Sequence, residues 1–335
     1  MGITLQEQGK LEKAIEAYNK ALSIKPDYDE AIVNASSLRN QISETTLINE
    51  EFEKSLDRHS SELIEIPNLQ IQQAIRAFLF SDQKLVRKHL RNYSNCPPSS
   101  IAKLKAKDQV FCSAYDSFLQ KLIETFFESE QTIINHQSVF HIGESHCLSY
   151  AHRLIKIYGT NYMIKPRITF GGKAYHFSTE QENAYKAITK SNFASLPDSS
   201  EAFLSFGEID CRPNEGFIPA AKKYKKPIED LISNTTRGYV DWFAEQNQCK
   251  NHSLFFFNVP APIYNENYTA EVNEDVASTI KLFNSLLRKI VLKNDFNLID
   301  VYKFTVGHDE FSNGFFHIDG NHLSSAAIPE IEQQL

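Results

Sequence analysis

No stretch of this chain is apolar for the roughly 18 residues that a bilayer-spanning helix needs. Its first residues, Met1 to Lys13, lack the basic segment and apolar run of a secretory signal. Together these absences predict a cytoplasmic protein. Cysteine is sparse: Cys96, Cys112, Cys147, Cys211 and Cys249 are odd in number, widely spaced and without a C-x-x-C pair. That spacing argues against both a disulfide framework and a zinc site, and predicts free structural thiols. Basic charge is not in excess either, because the formal net charge is -7. The chain therefore has no general attraction to nucleic acid or anionic lipid. No nucleic-acid or membrane partner, cofactor or metal is expected.

What is present suits a folded globular protein. Hydrophobic residues make up 41% of 335, enough to bury a substantial core, and the length favours one large domain and one smaller one.

The clearest repeat lies at the start. Leu5, Ala14, Tyr18 and Ala21 recur at helical spacing around Gly9-Lys10, and Pro26-Asp27 ends the second helix. The pattern resembles a tetratricopeptide repeat, a helical hairpin of about 34 residues. A further helix from Tyr28 to about Gln41 begins as a second repeat would, and the pattern fades after Leu47. One incomplete repeat does not close a solenoid core, so this region is expected to be a helical accessory that could dock a protein partner. Residues 45–135 are expected to continue as helix. Ile71, Ala74, Ile75, Phe78 and Leu79 fall at three- and four-residue spacing, as do Phe111, Tyr115, Phe118, Leu119 and Leu122. The segment from Ser94 to Ser100 interrupts them as a loop.

Beyond His136 the texture changes to short runs rich in Phe, Ile and Val: Val139–Ile142, Arg167–Phe170, Phe203–Phe206, Leu254–Val259 and Phe296–Val301. Such runs alternating with helices predict a parallel sheet covered on both faces, an α/β domain of three layers. A helix from about Glu274 to Lys293 presents Val276, Ile280, Phe283, Leu287 and Ile290 on one face. The expected organisation is thus 1–44 repeat-like, 45–135 helical extension and 136–335 α/β.

The first run leads through Gly143-Glu144 into Ser145-His146, with Leu148, Ala151, Leu154 and Ile155 predicting a helix next. A serine there lies beyond the carboxyl end of a parallel strand, where α/β sheets bind ligands. Near the other end, Asp319 and His322 stand three residues apart. A serine hydroxyl is a poor nucleophile until an imidazole accepts its proton, and that imidazole needs a fixed tautomer.

Gly143-Glu144-Ser145-His146 resembles the Gly-Asp-Ser block of SGNH/GDSL hydrolases, with Glu for Asp, and Asp319-Gly320-Asn321-His322 resembles their Asp-x-x-His block. The resemblance implies a mostly parallel, flavodoxin-like sheet. It implies Ser145 as nucleophile, His322 as general base and then acid, and Asp319 as its orienter. Between these blocks, Gly171-Gly172 resembles the family's glycine block, either residue supplying an oxyanion-hole amide beside that of Ser145. Gly207-Glu208-Ile209-Asp210 sits where the family has Gly-x-Asn-Asp, and Ile209 replaces the Asn donor. Arg212, His146 or Asn258 is each a conceivable substitute; Asp210, Arg212, His146 and Asn258 are candidate substrate-binding residues, and a buried charge network of Glu208, Asp210 and Arg212 is the alternative.

Lys222, Lys223, Lys225 and Lys226 are expected in a solvated loop, and Asn258 to Pro262 on a pocket rim. The function implied is a serine esterase on small acyl or glycan esters. An O-acyltransferase to a glycan uses the same residues, and a non-catalytic binding module is the alternative that Ile209 favours.

Overall fold

A computed structural model describes residues 1–42, 65–125 and 136–335. The chain divides into two compact units, Met1–Thr132 and Ile133–Leu335.

The first unit is helical throughout its described residues: α1 (Gly2–Glu7), α2 (Leu11–Ile24), α3 (Asp29–Gln41), α4 (Pro67–Leu79), α5 (Gln83–Ser94), α6 (Pro98–Ala102) and α7 (Ala106–Thr125). A Schellman turn closes α1, with Gly9 at φ +74°, its amide on the Gln6 carbonyl and the Lys10 amide on Leu5. A Cβ on Gly2 would stand 2.5 Å from the Tyr18 ring, so the first two helices touch through that glycine. Ala14, Tyr18 and Leu22 are the buried positions of α2, one turn apart. The Asn40 amide of α3 donates to both the carbonyl and the side chain of Gln72 on α4, each at 2.8 Å. The expected helical readings of 43–64 and 126–135 lie outside the described residues.

The second unit is built on six strands: β1 (Gln137–Gly143), β2 (Leu154–Ile157), β3 (Thr160–Ile168), β4 (Glu201–Ser205), β5 (Ser253–Phe257) and β6 (Asn297–Ile299). Their order is β2-β3-β1-β4-β5-β6, all parallel except β2, which runs antiparallel along β3. Side chains alternate across the sheet with period two. Phe140, Ile142, Leu204, Leu254 and Phe256 face one core, where Ile232, Tyr239 and Phe243 of one helix (Ile228–Asn247) and Phe283 and Leu287 of another (Ala270–Lys293) cover them. Val139, Phe203, Phe255, Phe257 and Ile299 face the other core, closed by Tyr150, Leu323, Ile328 and Ile331. Both faces are therefore buried.

Three expectations are corrected. The helix predicted from Leu148 through Ile155 is instead a 3-10 turn, Ser145–Leu148, followed by β2. β2 and β3 form a hairpin whose two-residue turn, Tyr158 and Gly159, has positive φ at both positions (47° and 82°), the geometry that matches strand twist. The run Arg167–Phe170 is only the tail of β3, because Asn161, Lys165 and Pro166 hide its alternation. Lys222 and Lys223 occupy the last turn of a helix, Phe217–Tyr224, and Lys225 caps it in the left-handed conformation at φ 51°. The basic run is a helix end, where cations complement the dipole.

No helix among the described residues is long and apolar enough to cross a membrane.

Candidate active site

β1 sets the position of the serine. Gly143 ends the strand against β4 so closely that a Cβ would lie 2.2 Å from Ser205 Oγ and 2.7 Å from the Ser205 carbonyl oxygen. The chain then turns through Glu144, whose carboxylate accepts the His146 amide at 3.3 Å, and Ser145 opens the 3-10 turn. That turn has only four residues, in place of the helix expected there.

The second half of the site comes from a loop folded back on itself, with Ile318 N–H on the His322 carbonyl at 2.9 Å and Ser324 N–H on Phe316 at 2.7 Å. Asp319 Oδ1 accepts the amides of Asn321 (2.8 Å) and His322 (2.7 Å), an Asx-type turn that fixes the carboxylate. The same carboxylate lies 2.8 Å from His322 Nδ1, and His322 Nε2 lies 2.7 Å from Ser145 Oγ. Ser145, His322 and Asp319 thus form one continuous chain of hydrogen bonds across 177 residues of sequence separation. Burial raises the Asp319 carboxyl, yet its bonds to His322 and the two amides hold it well below the ordinary range. A carboxylate there keeps the proton of His322 on Nδ1 and leaves Nε2 as acceptor.

The two glycines divide. Gly172 is committed elsewhere: its amide donates to the Thr169 carbonyl at 3.0 Å, and a Cβ would meet Phe206 at 2.8 Å. Gly171 sits at φ +66° with open space around its Cβ position and an exposed backbone. Among the described residues, neither its amide nor that of Ser145 appears in a backbone hydrogen bond outside helices and strands.

The conceivable substitutes for the missing Asn donor are occupied. Ile209 itself is buried. Asn258 donates to Asp300 Oδ1 at 2.7 Å and accepts the Tyr302 amide at 3.1 Å, latching the end of β5. Arg212 makes a two-pronged pair with Glu208, with contacts of 2.6 to 3.0 Å, and reaches Glu215 at 3.3 Å. His146 has both ring nitrogens engaged, Nδ1 at 2.5 Å from Glu144 Oε1 and Nε2 at 3.0 Å from the Asn321 carbonyl.

Asp210 is also not placed to bind substrate. It is fully buried, and its carboxylate accepts the amides of Ala174 (2.7 Å) and Tyr175 (3.1 Å), capping the short helix Ala174–Ser178 that follows the glycine loop. Burial pushes its carboxyl up to about 7, against the pull of those amides. The folded chain therefore keeps a proton there that the unfolded chain releases at its ordinary value. Stability from this group is full below about pH 4 and is lost as pH rises towards 7. Asp210→Asn should flatten stability against pH between 4 and 7 by up to about 1.4 kcal/mol per pH unit. Urea unfolding across that window checks it, and parallel curves for the two proteins would count against it.

Sequence reasoning missed Glu144, read only as a replacement for Asp. Its carboxylate accepts from Ser145 Oγ at 2.8 Å while facing His146. The extra methylene of Glu over Asp was the available signal, since it lets one carboxylate reach both neighbours. Glu144, His146 and His322 bring polar side-chain atoms within 4.8 Å of one another. In this state those atoms are hydrogen-bonded to each other, to Ser145 and to the Asn321 carbonyl.

A cleft of about 620 Å³ adjoins the site, lined by Glu208, Arg212, Tyr264, Tyr268, His317 and Asn321 among others, with Val259 to Pro262 on its rim. Behind the Ser145 turn, a pocket of about 20 Å³ is bounded by His141, Glu144, His146 and Ser205.

The tetratricopeptide repeat family model matches residues 1–32. No curated protein matches the sequence. Among solved structures, a GDSL-like lipase from Bacteroides thetaiotaomicron is 14% identical, with 64% of this chain and 93% of that chain covered and a TM-score of 0.38. A lipase/acylhydrolase from Enterococcus faecalis is 15% identical, covering 59% and 92% with a TM-score of 0.39. An acetyl xylan esterase is 15% identical, covering 59% and 96% with a TM-score of 0.37. The chain is thus similar to tetratricopeptide repeats over its first 32 residues and, among solved structures, to GDSL-like lipases and acylhydrolases.

Proposed function

We propose that the α/β unit is a serine ester hydrolase that works through an acyl-Ser145 intermediate. The observation that carries this is the unbroken relay from Ser145 Oγ to His322 Nε2 (2.7 Å) and from His322 Nδ1 to Asp319 (2.8 Å). In the first step His322 takes the hydroxyl proton as Ser145 Oγ bonds to the acyl carbon. The carbonyl electrons move onto oxygen, where the amides of Ser145 and Gly171 are the available donors. As the tetrahedral adduct collapses, the ester C–O bond breaks and His322 gives its proton to the departing alcohol. Water then repeats the sequence on the acyl-serine, releasing the acid and restoring Ser145.

A glycan ester suits the adjoining cleft. Tyr264 and Tyr268 line it beside Asn214, Asn265 and Asn321, the mix of aromatic rings and amides that sugar recognition uses. The parallel strands, taken in chain order, lie in the sequence 2-1-3-4-5, which supports the flavodoxin-like, three-layer reading of residues 136–335. Residues 1–44 and 45–135 are then accessories to it, the first a docking element for a protein partner.

A fluorophosphonate phosphonylates an activated serine irreversibly, with loss of fluoride. The full-length protein should gain one adduct, mapped by mass spectrometry to Ser145, and should hydrolyse p-nitrophenyl acetate. Absence of both labelling and turnover would replace this reading with a binding module.

A further inference from the structure

Ser145 has one hydroxyl proton and two acceptors within reach, His322 Nε2 at 2.7 Å and Glu144 Oε2 at 2.8 Å. Only the bond to His322 leads to chemistry, so something must set the balance between them. His146 is the group placed to do so. Its Nε2 faces the carbonyl of Asn321, which can only accept, so that nitrogen carries a hydrogen. Its Nδ1 faces the buried carboxylate of Glu144 and donates as well. Because its contacts with His146, His322 and Ser145 hold Glu144 as a carboxylate, the partners of both nitrogens make His146 an imidazolium. Asn321 lies between Asp319 and His322, so one ring connects the turn that holds the nucleophile to the loop that holds its base, across 175 residues.

Resting on the hydrolase reading above, we propose that His146 is a positioning residue: its imidazolium cross-links the two catalytic loops and engages Glu144, so that the Ser145 proton is directed to His322.

Two physical consequences support this role. First, a carboxylate already compensated by a cation at 2.5 Å is a weaker acceptor for the serine hydroxyl than a bare one. Second, proton transfer makes His322 cationic, with its ring centroid 4.7 Å from that of His146. Glu144 and Asp319 flank the two imidazoles, so the pair of cations is matched by a pair of anions when the oxyanion forms.

The groups around His146 come from every neighbouring element. They are Glu144 on its own turn, His141 from β1, Glu208 (itself paired to Arg212) from the loop after β4, and His317 and His322 from the C-terminal loop. Burial opposes the charge on His146, but Glu144, Glu208 and the Asn321 carbonyl outweigh it and hold the imidazolium above its ordinary range, while Glu144 is held below its own. As pH rises through that raised value, His146 gives up one of its two donated bonds and turnover falls.

The test uses the full-length chain and p-nitrophenyl acetate, comparing the wild type with His146→Gln, Glu144→Gln and the double variant. Gln keeps the size and one donor but cannot carry the charge. His146→Gln should melt within a few degrees of the wild type and keep KM within about twofold, while kcat falls by about 30-fold or more. The wild type's alkaline limb in kcat should be missing from its profile. Glu144→Gln should cost much less in the His146→Gln background than alone, because the two act as one unit. If His146→Gln keeps kcat within threefold, or retains the wild-type alkaline limb, the positioning role is wrong even though the hydrolase reading stands. A wild type without an alkaline limb overturns it equally, whether or not the variant folds. Failure of the wild type to turn over or label at all removes the hydrolase reading and this inference together.

Discussion

Ser145→Ala and His322→Ala are each expected to reduce ester turnover by about a thousandfold or more, and the double variant is expected to lose little beyond either single one. The reason is geometric. With His322 Nε2 2.7 Å from Ser145 Oγ and both ring nitrogens of His146 engaged elsewhere, each residue is useful only through the other. Steady-state kinetics on p-nitrophenyl acetate, with folding checked by circular dichroism, reads the cycle directly. Multiplicative losses in the double variant would mean that the two side chains act independently and that the relay is not the catalytic device.

Gly216→Ala should destabilise the protein by about 2–4 kcal/mol, far more than an exposed substitution. Gly216 has φ +109°, and a Cβ there would stand 2.1 Å from the carbonyl oxygen of Asp210 and 2.6 Å from its carbon. Those atoms are backbone and cannot step aside as a side chain would. Because the Asp210 carboxylate holds the amides of Ala174 and Tyr175, the strain passes to the helix cap beside Gly171. Urea unfolding should show the loss. Gly171→Ala is the matched control: its φ is also positive, at +66°, but its Cβ position is open, so about 1 kcal/mol is expected. Equal costs at the two positions would show that backbone conformation alone, not collision with Asp210, sets the penalty.

The sequence made some of this architecture easy to read and hid the rest for physical reasons. The buried strands β1, β4 and β5 carry short apolar runs, Val139-Phe140, Ala202 to Leu204 and Leu254 to Phe257, because both their faces are covered. β2 and β3 at the sheet margin carry Lys156, Asn161 and Lys165, and this polarity disguises them as loop and helix. The Tyr158-Gly159 turn was the local signal for that hairpin, easily lost beside a run of apolar residues at helical spacing. At the site, Ser145, Asp319 and His322 were legible as residue types at characteristic spacing, and they meet in space. Arg212, Asn258 and Asp210 looked available because a sequence does not record which polar groups already satisfy one another. Arg212 is taken by Glu208 and Glu215, Asn258 by Asp300 and Tyr302, and Asp210 by two amides. The partnership of Glu144 with His146 was hidden for the opposite reason, because neighbours two apart in sequence face each other only in a turn tighter than the helix expected there.

If the proposed hydrolase reading holds, the 177-residue span between Ser145 and His322 also governs how activity returns when the protein refolds. β1 pairs with β3 and β4, closing loops of modest length, whereas the base arrives on a loop beyond β6, after the whole sheet has been laid down. Closing that last and longest loop is entropically the most demanding step, and its reward depends on a finished platform. Recovered esterase activity should therefore trail the return of aromatic burial monitored by tryptophan fluorescence at Trp242, which packs into the core with Phe177 and Phe243. On that reading, the return of turnover becomes a clock for the final stage of assembly.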